Sequence, residues 1–265
     1  MYLKPSEPHT IGGVLDDSIR LYRASFKNVW LLAFLMEIPL AAQRVYLDSL
    51  MANVNQSNPR AALEVFLTPN LWLSYLLVMI LIIIAHIALL ASIDSVARSA
   101  PIGLGPSLSA GMRLFPRTLA SVVVFMFAFV MGSLLLVVPG IFLLGSWCLA
   151  VPSIVVDDQG VFGSLGTSSR LTWGHWWRTV TIYSVIGLLV IIVAGVVGGI
   201  VSAVFVGIFG LRSLPAIAAA QCAAFVIGVL LMSLIPCALL SIYYDLKLRK
   251  EGTDLAQRVQ ALPTR

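Results

Sequence analysis

Charge is what this chain has least of. Only 11% of its 265 residues are Asp, Glu, Lys or Arg, where soluble domains carry about 25%. Hydrophobic residues make up 59%, more apolar surface than a soluble fold of this length can hide. Several uncharged runs exceed about 18 residues, long enough to cross a bilayer as helix. Cysteine is also scarce. Cys148, Cys222 and Cys237 all lie in apolar runs, with neither a CxxC pair nor metal-ligand spacing. They are expected to be small buried hydrophobes, which excludes a disulfide scaffold.

Catalytic signatures are missing as well. There is no Walker A motif, no GxSxG, no HExxH and no glycine fingerprint after a strand. Gly103-Leu104-Gly105 reads as a loop. The longest polar stretches, 48–70 and 246–265, are too short for a catalytic domain. The second of them reads as a short surface helix. No enzymatic activity, cofactor or metal is therefore expected. The opening MYLKPSEPHTIGG has no apolar h-region and no small-residue cleavage site, so the spans themselves are expected to direct insertion.

What is present is a series of six apolar segments, 28–47, 71–96, 117–138, 140–157, 179–209 and 215–245. They predict an all-α polytopic protein forming a single membrane domain over 1–265. Glu37 and Arg44 interrupt the first segment. Pro139-Gly140 makes a tight turn between the third and fourth. The fifth is longer than a core of about 30 Å requires and should tilt or project. Pro152 and Pro236 predict kinks. With alternating directions, 14 of the 17 basic residues fall on one side, in groups at 4–27, 98–117, 170–178 and 247–265. Arg44, Arg60 and Arg212 fall on the other. This asymmetry predicts that both termini are cytoplasmic. It also accounts for the net charge of +5 without nucleic acid, since a basic membrane face meets anionic headgroups.

The segments carry a threefold pattern. Leu15-x4-Arg20-Leu21, Leu108-x4-Arg113-Leu114 and Leu165-x4-Arg170-Leu171 each precede an odd-numbered span. The even-numbered spans end alike, in ALLASID at Asp94, AVPSIVVD at Asp157 and ALLSIYYD at Asp245. The expected unit is an interfacial helix followed by a helical hairpin, repeated over 8–97, 102–158 and 160–246, with a tail over 247–265. In the first interfacial helix Ile11, Val14, Leu15, Ile19, Tyr22 and Phe26 make an apolar stripe. Leu104, Leu108, Met112 and Phe115 make the second. Phe162, Leu165, Trp173, Trp176 and Trp177 make a less regular third. Tryptophan has an apolar ring and a polar N–H, so Trp173, Trp176 and Trp177 read as interfacial anchors. His175 has no recognisable nucleophile near it.

Three sets of side chains stand out as candidates. The repeated Arg20, Arg113 and Arg170 lie at the depth of Asp94, Asp157 and Asp245. They are expected to form a ring of ion pairs, with local pairing of Asp94 to Arg98 as an alternative. A second use of the same arginines is to hold lipid phosphates. Glu37 and His86 are ionisable groups inside the spans. Glu37 lies ten residues past Lys27, about 15 Å deep, and His86 twelve residues before Arg98, about 18 Å deep. They are expected to meet near the midplane, as a structural pair or beside a hydrated path. Finally, Gly195, Gly199, Ala203 and Gly207 form one small-residue ladder. Ala216, Ala220, Ala224 and Gly228 form another. Packing of the two ladders on each other is expected, with homodimerisation as the second use.

Two stretches carry a family likeness, IGGVLDDSIRLYRASFKNVWLL with Pro39 beyond it, and VPSIVVDDQGVFGSLGTSSRLTWGHWWRTV. On these the chain resembles bacterial six-span proteins related to the membrane domain fused to some glycerophosphoryl diester phosphodiesterases. The phosphodiesterase domain itself is absent, so the resemblance implies no hydrolase. It implies a stand-alone multi-pass protein of a bacterial inner membrane. Glu37 is not part of that family pattern. The expected function is non-catalytic, either lipid-associated or a scaffold for membrane partners, with a homo-oligomer as one arrangement. A small transporter or channel using Glu37 and His86 is the alternative. An intramembrane enzyme would need a nucleophile or metal cluster that the sequence does not offer.

Overall fold

A computed structural model describes residues 5, 7–52, 59–135, 137–210 and 213–260. Lys4, Arg212, Arg265 and the 53–58 part of the polar segment lie outside the described residues. Among those described, the protein is helical throughout and has no strand. Ten helices follow in order. They are α1 (Ile11–Ala52), α2 (Pro59–Phe66), α3 (Pro69–Ala97), α4 (Leu104–Leu135), α5 (Val137–Trp147), α6 (Ala150–Asp157), α7 (Val161–Thr172), α8 (Trp176–Phe209), α9 (Leu214–Leu231) and α10 (Leu234–Gln260). Six stretches are long and apolar enough to cross a bilayer, at Ile11–Met51, Pro69–Ala97, Leu104–Leu135, Val138–Asp157, Trp176–Phe209 and Pro215–Lys250. In hydrocarbon a backbone N–H has no water to bond, so helix is the arrangement these runs can adopt.

The fourth and sixth crossings are broken helices. α5 gives way to α6 at 148–149, and α9 to α10 at 232–233. Each break falls just before a proline in the first turn of the following helix, Pro152 in α6 and Pro236 in α10. A first-turn proline sacrifices no intrahelical bond, because the first four N–H groups of a helix have no partner in it. The expected kinks are thus complete interruptions.

Freed backbone groups at the breaks are taken up by neighbouring helices. Ser168 of α7 donates to the Ser146 carbonyl at 2.7 Å and accepts from the Leu149 N–H at 3.1 Å. Thr172 donates to the same carbonyl at 3.3 Å. At the second break the Tyr22 hydroxyl of α1 donates to the Leu230 carbonyl at 2.6 Å. Irregular backbone is tolerated at this depth because protein groups satisfy it.

The three stretches expected to lie flat in the interface behave differently. In the first two no turn separates them from the following span. α1 runs unbroken for 42 residues, about 63 Å at the α-helical rise and roughly twice the apolar thickness of a bilayer. α4 runs unbroken for 32 residues. The third, α7, is set off by a turn at 173–175, where Gly174 adopts φ +83°. That left-handed conformation is open to glycine and strained for a side chain.

The buried faces of these stretches also differ from the apolar stripes. α1 buries Val14, Ser18, Leu21, Ser25, Val29 and Leu32, while Ile11 stays exposed. α4 buries Ser107, Gly111, Leu114, Thr118 and Ser121, while Met112 is exposed. α7 buries Ser164, Leu165, Ser168, Leu171 and Thr172, while Phe162 is exposed. Small hydroxyl residues and glycine alternate along the seam with valine and leucine. Small residues let helix axes approach, and a serine or threonine hydroxyl can bond its own helix backbone, as Ser18 does to the Val14 carbonyl at 2.7 Å. At Gly111 the approach is close enough that a Cβ would lie 2.6 Å from the Ile84 carbonyl of α3.

α10 sits at the centre. Cys237, Leu240, Tyr243, Tyr244 and Leu246 are buried in a core shared with α1, α3 and α6. Of the three cysteines Cys237 is buried, Cys148 half-buried and Cys222 exposed on α9, so the expectation of burial fails at Cys222. An exposed thiol on a lipid-facing helix acts as one more apolar side chain.

Candidate functional site

Three groups of polar residues stand out, and the first is a knot of charges around the end of α10. Tyr243, Tyr244, Asp245, Lys247 and Arg249 follow one another closely on that helix, so they fan out to several neighbours. Tyr244 donates to Asp94 of α3, which also takes Arg98 at 2.8 Å. Tyr243 donates to Asp157 of α6 at 2.6 Å, and Lys247 reaches both oxygens of that carboxylate at 2.8 and 2.9 Å. Asp245 accepts from Arg178 and Arg249, each at 3.0 Å, and from the His9 N–H at 2.8 Å. The three aspartates are thus gathered as expected, but with other cations. The ring of Arg20, Arg113 and Arg170 with these carboxylates does not form. The local Asp94–Arg98 pair does.

Helix position explains the substitution. Arg98 is four residues beyond Asp94 and Arg249 four beyond Asp245, one turn along the same face. Lys247 and Arg178 project from elements already packed on the core. Arg20, Arg113 and Arg170 lie on the outward faces of α1, α4 and α7, and all three are exposed. Among the described residues none of them makes an ion pair. All three lie toward the end of the bundle that carries the charged knot. Arg113 is one turn before Arg117, which reaches Asp158 at 2.9 Å. Arg170 is about one turn before the 173–175 bend that leads to Arg178. Arg20 lies within the first three turns of α1, just after His9.

The tryptophans divide by role. Trp173 and Trp177 are exposed, as an anchor must be. Trp176 instead packs its ring on Phe142, with centroids 5.8 Å apart, and donates to the Phe142 carbonyl at 3.0 Å. Gly145 of α5 makes room for it, since a methyl there would overlap the indole nitrogen. Partial burial, and then the positive charges of Lys250, Arg249 and Arg178, push the His175 pKa below its ordinary value.

The third group lies inside the bundle. Glu37 is fully buried and contacts Arg44, two turns further along α1, at 3.4 Å. His86 is not its partner, so the expected Glu37–His86 pair is replaced by Glu37–Arg44. The carboxylate packs against Gly228 of α9, where any side chain would overlap it. Beside it is a cavity of about 380 Å³, walled by Ala194, Gly198 and Ser202 of α8, Ala220 and Ala224 of α9, and the ends of α9 and α10.

The α9 ladder faces inward, with Ala216 buried and Ala220, Ala224 and Gly228 on the cavity, but the expected packing of the two ladders on each other does not form. The α8 ladder does not meet it. Gly195, Gly199, Ala203 and Gly207 are all exposed, and Ala194, Gly198 and Ser202 take their place. A shift of one residue turns a helix face by about 100°. Sequence reading missed Gly198 and Ser202 because the parallel glycine series one position later is the more regular. It missed the roles of Tyr243 and Tyr244, which sit inside the repeated aspartate motif as unassigned positions.

Among the described residues no group of three His, Cys, Asp or Glu is arranged to hold a metal. No family model, no curated protein and no solved structure matches this chain.

Proposed function

We propose that this is a non-catalytic multi-pass membrane protein that holds anionic lipid headgroups through Arg20, Arg113 and Arg170. One observation carries the reading. The three acids that sequence position offers these arginines are already filled by Arg98, Lys247, Arg178 and Arg249, so three exposed cations are left at the same end of the bundle. A guanidinium presents a planar fork that suits phosphate oxygens. Exposed Trp173 and Trp177 on the same rim suit the headgroup layer. The charge asymmetry supports a cytoplasmic rim with both termini on that side, and the sequence resemblance supports a bacterial inner membrane. In this reading the threefold Arg motif is a repeat kept for lipid contact, while the Asp motif serves assembly.

Native mass spectrometry of protein released from native-lipid nanodiscs tests this. The wild type should retain anionic lipid. The Arg20, Arg113, Arg170 triple Gln variant should remain folded and retain roughly a hundredfold less, at about 1 kcal/mol for each basic residue near an anionic surface. Equal retention by the two proteins, or no anionic lipid on the wild type, would overturn the proposal.

A further inference from the structure

The cavity beside Glu37 is lined by two charged side chains with buried atoms that lack a hydrogen-bond partner. Both Glu37 carboxylate oxygens lack a hydrogen-bond donor among the described groups, and so does Nη1 of Arg44 for an acceptor. Their one mutual contact, at 3.4 Å, is long for a charged hydrogen bond. A carboxylate with two open oxygens inside a membrane bundle is costly unless something donates to it.

The walls show what fits. Glu37 lies about 15 Å from the Lys27 end of the span, and Arg44 seven residues on, about 10 Å nearer the opposite face. The cavity follows the same axis. Val190 and Ile235 line its deep end, and Ser202 and Ala220 the end away from the charged knot. Arg44 is partly exposed while Glu37 is not. The space is therefore a half-membrane recess with a guanidinium toward its mouth and a carboxylate at its floor. Its volume of about 380 Å³ falls at the low end for small-molecule sites, about 300–1,000 Å³. Alanine and glycine walls leave room near the charges, and the Leu231–Ile235 end offers apolar surface. A discontinuous helix borders it, as at the substrate sites of many membrane transporters.

Charge balance and the open hydrogen-bond sites together select the ligand. Glu37 and Arg44 already offset one another, so a lone cation or a lone anion would upset that balance. A molecule carrying both signs keeps it, and gives Glu37 a donor and Arg44 an acceptor. We propose that this recess binds a small zwitterion, with a primary ammonium on Glu37 and an acidic group on Arg44. A free amino acid and the phosphoethanolamine headgroup of a lipid share that chemistry.

The test uses the full chain in nanodiscs, with two kinds of probe. L-alanine and L-leucine are added to nanodiscs of phosphatidylglycerol alone, and binding is read by calorimetry. Phosphatidylethanolamine is supplied as a minor lipid, and its retention is read by native mass spectrometry. Binding of an amino acid identifies the soluble source, and retention of phosphatidylethanolamine the lipid source. In either case Glu37→Gln should weaken binding at least tenfold. Ala224→Leu, which fills the recess and keeps both charges, should do the same, and it carries the test where Glu37→Gln does not fold. The Arg20, Arg113, Arg170 variant should bind the probe as the wild type does, so this site and the proposed lipid rim stand or fall separately. A wild type that binds neither probe, or binding that survives both Glu37→Gln and Ala224→Leu, would overturn the assignment and leave the recess to solvent.

Discussion

At the scale of single residues, two tyrosines do what the repeat arginines were expected to do. Tyr244 is fully buried and donates to Asp94. Tyr244→Phe should cost about 1.5–3 kcal/mol, the usual worth of a hydrogen bond to a charged group. Reversible unfolding in mixed micelles would read it. Tyr243→Phe should cost less, because Lys247 still holds both oxygens of the partly exposed Asp157. Gly228 gives a sharper case. Gly228→Ala should destabilise by about 1–3 kcal/mol through overlap with the Glu37 carboxylate. Most of that loss should vanish in a Glu37→Ala background, a coupling that a double-mutant cycle measures. His175 sets a pH dependence. Its folded pKa lies below the ordinary value of 6.5. The unfolded chain therefore takes up its proton first as pH falls. The stability linked to His175 is fully present above pH 6.5 and is lost as pH drops through the lower folded value. His175→Gln should flatten that part of an unfolding-against-pH curve.

At the scale of elements, the breaks in the fourth and sixth crossings depend on hydroxyl groups lent by other helices. Ser168 both donates to Ser146 and accepts from Leu149. Ser168→Ala should cost about 1–3 kcal/mol, the penalty of unsatisfied buried backbone. Hydrogen exchange should show the Leu149 amide losing protection while amides in the middle of α3 keep theirs. The prolines that accompany the breaks were legible in the sequence, and so were the bounds of the second, fourth and fifth spans, but not the starts of the first and third, where α1 and α4 begin well before the apolar run. The inward faces of α1, α4 and α7 were not legible either. A hydrophobic-stripe argument assumes that water lies outside and oil inside. In a bilayer large apolar residues are at ease facing lipid, and close packing favours Ser, Gly and Thr. Each stripe is consequently split: Ile11, Met112 and Phe162 point outward, Val14 and Leu165 stay buried, and Ser18, Gly111 and Ser168 take part of the inward face.

At the scale of the whole molecule, α10 ties the bundle together. It reaches α3 through Tyr244, α6 through Tyr243 and Lys247, α8 through Arg178 on Asp245, and the segment before α1 through His9. Asp245→Ala leaves Arg178 and Arg249 facing each other with the shared carboxylate gone. Breaking such a partly buried group should cost about 3–5 kcal/mol, and limited proteolysis should then find the chain before Ile11 released. By itself the sequence determined the all-helical class, the six crossings and the grouping of three aspartates at one end. Those follow from length, hydropathy and position along a helix, which are one-dimensional quantities. Only the tertiary structure decided that Lys247, Arg178, Arg249 and Arg98 hold the acids, that Glu37 turns to Arg44 and Gly228, and that one glycine ladder faces outward. Each of these depends on how a helix is rotated about its axis. In lipid, apolar patterning leaves that angle nearly free, and it is fixed by small-residue contacts between helices that meet far apart in the chain.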